Sequence, residues 1–185
     1  MILPTAYLPP LSWQQHFFRE DVEIEIFESF AKQTIRNRCY IAGPNGVQIL
    51  SVPVEKCERK QLTKDVKIAY RSKWQHQHWQ ALMSTYKNTP FFDYYQDYFI
   101  EIYNKHFEFL IDLNEELQML INRLSGCDKQ IKYTENWKAL NIDDFSAGFS
   151  AKPYYQVFAD RQGFRKDLSI VDLLFNMGPE TTLYL

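Results

Sequence analysis

Cys39-Tyr40-Ile41-Ala42-Gly43-Pro44-Asn45-Gly46-Val47-Gln48-Ile49-Leu50-Ser51-Val52-Pro53-Val54 is the stretch whose reading decides the fold class. Asn45-Gly46 accepts positive φ at little cost and lies between two apolar runs, so it predicts a β-hairpin with strands over 36–42 and 47–54. Pro53 has no backbone donor and marks a strand end or an edge. Upstream, Val22-Glu23-Ile24-Glu25-Ile26 alternates apolar and acidic residues, which predicts a strand over 22–27 with Glu23 and Glu25 on its outer face. The N-terminal third therefore reads as a small mixed or antiparallel sheet.

Beyond Trp74 the hydrophobic period lengthens. Trp79, Leu82, Met83 and Tyr86 predict a helix over 74–87. Thr89-Pro90 reads as the cap and first position of a second helix over 91–107. That helix places Phe91, Tyr94, Tyr95, Tyr98, Phe99 and Ile102 on its apolar side. Asp112 with Glu115 resembles a capping box for a third helix over 113–125, which Gly126 ends. Residues 129–134 could return as a short strand, and 136–153 is polar and irregular enough for a long loop. Ser169-Ile170-Val171-Asp172 opens a short apolar helix, with Asp172 in a structural role at its third position. The class is α/β, in the sense of mixed α and β, with a central helical segment packed on the sheet. No repeat or linker divides the chain, so one domain over 1–185 is expected.

Twenty-one basic and 23 acidic residues leave a net charge of -2. No global positive field gathers nucleic-acid phosphates. No run reaches the roughly 18 apolar residues of a membrane span, and Met1–Thr5 lacks a charged leader, so a cytoplasmic protein is the expectation. Cys39, Cys57 and Cys127 suit neither a disulfide framework nor a zinc motif. His76 and His78 fall about 200° apart on a helix, so they do not chelate a metal together. The chain has no GxSxG elbow, phosphate loop, GxGxxG fingerprint or HExxH helix, which disfavours standard hydrolases, P-loop ATPases, Rossmann dehydrogenases and zincins.

The densest polar run is Glu28 to Arg38. Drawn as an extended strand, it places Lys32, Thr34, Arg36 and Arg38 on one face, a row able to hold phosphate. Gln33 and Asn37 would orient polar groups of the same ligand. The bland alternative pairs Arg36 and Arg38 with Glu23 and Glu25. His78 is a candidate general base near neutral pH, although such a histidine is more often a hydrogen-bonded packing residue. The aromatic row from Phe91 to Phe109 fits core packing, with room for a tyrosine at the edge of a sugar cleft.

Ala6-Tyr7-Leu8-Pro9-Pro10, Lys32 to Arg38, Gly43 to Gly46 and Leu50 to Val54 match, in order and spacing, the WbqC-like protein family, which the chain resembles over nearly its whole length. The likeness continues through Trp74, His78-Trp79, Tyr86, Pro90-Phe91-Phe92, Asn114 and Leu168 to Gly178. It implies a bacterial protein of surface-polysaccharide or O-antigen biosynthesis, acting on an amino sugar carried by a nucleotide. On that reading the protein is a transferase of acyl or aminoacyl groups. Tyr7, Lys32, Gln33, Arg36, Asn37 and Arg38 bind the nucleotide sugar or another anionic small molecule, and Glu28 or His78 manages a proton. No cofactor is assigned. The rival expectation is a non-catalytic binding or assembly protein using the same cluster.

Overall fold

The computed structural model describes residues 1–140 and 147–185 and has the mixed α and β content that the pattern predicts. The chain enters through a strand, β1 (Ile2–Pro4), and a helix, α1 (Leu11–Arg19), in a region to which the pattern assigns no element. The reason is local: β1 has three residues and ends in proline, and α1 lacks both a side-chain cap and an acidic first turn. Its buried Leu11, Gln14 and Phe17 recur every three residues, with an amide interrupting the apolar stripe.

The next strand, β2 (Glu23–Glu25), pairs in parallel with β1, Leu3 opposite Ile24. Then β3 (Arg38–Gly43) and β4 (Gly46–Ser51) form the expected antiparallel hairpin, closed by Gly43 opposite Gly46. These are two separate two-stranded sheets, whereas a single sheet was the expectation. Both edges of β2 are already occupied: β1 takes one, and Ile24 forms a parallel bridge with Tyr133 on the other. The short strand expected at 129–134 contracts to that bridge. Glu25 does not face outward either. It is fully buried and its carboxylate accepts the backbone N–H groups of Phe27 and Lys138.

Three helices follow, α2 (Trp74–Tyr86), α3 (Phe92–Tyr103) and α4 (Leu110–Ser125), close to the expected ranges. Their starts correct the cap readings. The Thr89 hydroxyl donates to Tyr86 O, closing α2 rather than opening α3, and α4 begins two residues before Asp112, which lies in its first turn. The buried face of α3 is Phe92, Tyr95, Phe99, Ile102 and Tyr103; Tyr94 and Tyr98 are exposed, the latter carrying Arg123 over its ring. Gly126 caps α4 at φ 70°, as the sequence suggests. Of the loop expected over 136–153, residues 141–146 lie outside the described residues. A short α5 (Ala159–Gln162) precedes α6 (Ile170–Met177), in which Ile170 to Asn176 are all buried.

The N-terminal segment is clipped to the residues before α6. Leu11 N donates to Leu168 O, Ile170 N to Pro9 O, and the Ser169 hydroxyl to Leu8 O, while Asp167 accepts the amide and hydroxyl of Ser12. Leu8 is held there at φ 44°, a conformation a leucine adopts only under such constraint.

Asp172 anchors α6 from inside. Its carboxylate receives the hydroxyls of Tyr86 at 2.8 Å and Tyr154 at 2.6 Å, so its role is structural through these bonds. Burial nevertheless pushes this carboxyl up to about 6. The folded protein therefore keeps a proton that the unfolded chain releases near pH 4. The sign follows: this group's stabilisation is complete below pH 4 and lost as pH rises through about 6. Denaturant midpoints of wild type and Asp172→Asn across pH 3.5–7 should differ in slope, the variant losing that decline with rising pH.

Candidate functional site

Tyr7 lies on the segment between β1 and α1 and is wholly buried. Its hydroxyl meets His78 Nδ1 of α2 at 2.8 Å and the Tyr103 hydroxyl of α3 at 2.6 Å. His78 packs edge-on against Trp74 and also bonds the backbone of Ser51, where β4 ends. We assign the ring proton to Nε2, which leaves Nδ1 to accept from Tyr7 and Tyr103 to donate to the Tyr7 oxygen. Two residues picked from the sequence for different roles, Tyr7 and His78, are thus direct neighbours. Tyr103 completes the chain. Its only sequence signal was its place in the aromatic row.

Burial sets the protonation of this group. It lowers His78 to about 4, so the imidazole is neutral at physiological pH. It raises both phenols, and the nearby Cys39 thiol, above their ordinary values. None is an ionised nucleophile at neutral pH. The chain can orient hydroxyls and hold protons in place.

Tyr103 also lines a cleft of about 600 Å³ between the start of α2 and the end of α3, with Tyr70, Ser72, Lys73, Gln75, His76, Trp79, Ile100 and Asn104. Lys73 and His76 are exposed. Tyr70 is fixed by stacking on His106, and its hydroxyl bonds the Phe107 backbone. Trp79 stacks on Phe92. The cleft therefore offers rigid aromatic walls with amides and a cation at its rim, a set suited to a sugar ring and a phosphate. Of its residues the sequence singles out Tyr103, Trp79 and His76, the last only as a metal ligand to be set aside, since exposed polar positions at a helix start have no periodicity to read.

The Glu28–Arg38 run sits elsewhere. Residues 32–37 form successive turns, with Gln33 at φ 61°, so Lys32, Thr34, Arg36 and Arg38 do not form the common face of an extended strand. Arg36 is buried and pairs bidentately with Glu28, both contacts at 2.6 Å, with Thr34 as a third partner. Glu28, rather than Glu23 or Glu25, is its acid. Asn37 braces the turn: its side chain accepts from Gln33 N and donates to Val52 O. Arg38 donates to the Ser51 hydroxyl from the hairpin. Lys32 and Gln33 are exposed on the turn, and none of these residues lines the cleft.

A family model described as the WbqC-like protein family matches residues 6–144. No curated protein and no solved structure matches the chain.

Two measurements probe these constellations. Removing the carboxylate by Glu28→Ala strands a buried guanidinium, and unfolding experiments should show a loss of about 3–5 kcal/mol; a change under 1 kcal/mol would mean that water reaches Arg36. For His78 the folded pKa lies below the unfolded one, so its contribution is complete above pH 6.5 and is lost as pH falls towards 4, on the order of 3 kcal/mol in all. His78→Gln keeps an acceptor for Tyr7 without titrating, and its midpoint should fall less than that of the wild type between pH 6.5 and 4.

Proposed function

The chain belongs to the WbqC-like protein family, and we propose that it is a transferase of bacterial surface-polysaccharide biosynthesis that moves an acyl or aminoacyl group to a nucleotide-linked amino sugar seated in the α2–α3 cleft. The observation that carries this reading is the double membership of Tyr103. It is a wall of the cleft and the outer end of the buried chain through Tyr7 to His78. A substrate in the cleft therefore lies against a tyrosine whose orientation is set from within the core.

In this reading Trp79 and Tyr70 face the sugar, Gln75 and Asn104 meet its hydroxyls, and Lys73 with His76 holds phosphate. His78, being a weak base, acts as a positioning residue that fixes Tyr7 and through it Tyr103. Glu28 has no part in proton transfer, because Arg36 occupies both of its oxygens. Arg36 and Asn37 serve as braces. Lys32, Gln33 and Arg38 are left outside the ligand.

One observation favours a non-catalytic binding protein instead: among the described residues the cleft lining holds no carboxylate, and burial keeps Tyr103 and the His78 behind it neutral. Product formation separates the two readings. Purified protein is titrated with nucleotide-linked amino sugars, then incubated with activated acyl donors. Lys73→Ala combined with His76→Ala changes only exposed side chains and should weaken nucleotide-sugar binding about tenfold or more, leaving the thermal midpoint near wild type. Unchanged affinity in that double variant would move the ligand out of this cleft.

A further inference from the structure

A second site shares no lining residue with the cleft. Asn114 and Gln118 are one turn apart on α4, 2% and 5% exposed, and both line a cavity of about 20 Å³. Asn114 Oδ1 and Gln118 Oε1 have no hydrogen-bond partner. Their orientation is not free. Asn114 Nδ2 donates to Arg36 O at 2.9 Å and to the Thr5 hydroxyl at 3.1 Å, and a carbonyl can only accept. Gln118 Nε2 donates to Asn122 Oδ1 at 2.8 Å, and Asn122 in turn uses its Nδ2 on Lys129 O at 2.9 Å. Flipping either amide would set acceptor against acceptor, so both unpaired oxygens stay turned away from these partners.

Glu115, half-buried, adds a carboxylate to the same lining, and the adjacent Tyr133 hydroxyl is bonded to it. The remaining wall includes Trp13, Phe17 and Ile131. Two acceptors without donors, one negative charge and apolar sides describe a complement with N–H donors, positive charge and a small radius. An unpaired buried acceptor is costly, so two of them constitute a standing demand for such a partner.

We propose that this slot between α1 and α4 binds an ammonium group, with its N–H bonds directed at Asn114 Oδ1, Gln118 Oε1 and Glu115. The volume admits one such group, close to what a single water needs. Its source is either the free ion or the primary amine of a larger molecule, whose carbon chain would lie along Trp13 and Ile131.

Thermal-shift titrations of the full chain at constant ionic strength decide this, using ammonium, methylammonium, tetramethylammonium and potassium chlorides. Ammonium or methylammonium should raise the midpoint, whereas tetramethylammonium, which has no N–H, and potassium should not. A response to methylammonium exceeding that to ammonium assigns the site to a substituted amine; the reverse assigns it to the free ion. Gln118→Met should abolish the response. Should that variant fold poorly, Glu115→Gln at the half-buried position should reduce the response at least several-fold. No response to either amine, which leaves water as the occupant, overturns the proposal, as does an equal response to potassium or one that survives both substitutions.

Discussion

A tyrosine hydroxyl shut away from water needs a partner, and the Tyr7 hydroxyl finds two, on two different helices. Leaving it unpaired would cost roughly as much as several buried methylenes contribute. The N-terminal segment, α2 and α3 must therefore meet at one point, and Ser51 ties β4 to the same point through His78. Similar obligations recur around it. Asn37 holds the turn to Val52, Asn114 holds Thr5 and the Arg36 carbonyl, and Asp172 holds Tyr86 and Tyr154. The apolar core supplies most of the driving force, and these paired groups select one arrangement of the helices among many that would bury similar area.

Signals confined to a few residues were legible in the sequence. Gly43 to Gly46 specify the hairpin through a turn that tolerates positive φ, Gly126 stops α4, and the Ser169 hydroxyl accepts from Val171 N as a cap should. Partnerships across long separations were not. The parallel pairing of β1 with β2 rests on three residues from each strand, too few for a period to show. The expected acids for Arg36 were Glu23 and Glu25, and the turn at 32–37 brings it to Glu28 instead. The Tyr7–His78 contact spans 71 positions, and each residue was noticed without any sign of the other.

Residues that carry the family likeness are mostly interior ones. Within the matched region, Tyr7, Asn37, Trp74, His78, Tyr86 and Asn114 are all buried. Lys73, Gln75 and His76, which give the cleft its polar rim, belong to none of those motifs. The family match spans residues 6–144, taking in the buried chain and the cleft alike. The chemistry of the rim rests on this chain's own side chains, and substrate choice can differ between proteins that share this interior.

The clip between Leu8–Ser12 and Asp167–Ile170 has a consequence for how the chain is made. Segments that leave the ribosome first must wait for partners about 160 positions later, on the order of ten seconds or more at roughly 5–20 residues per second. Until then Leu8, Leu11 and Tyr86 lack their partners on the segment from Leu168 to Phe175. Such a nascent chain cannot complete its core piece by piece from the N-terminus, and holdase chaperones have a long interval in which to bind it. Emergence of α6, rather than of any earlier element, then sets the earliest moment at which the native core closes.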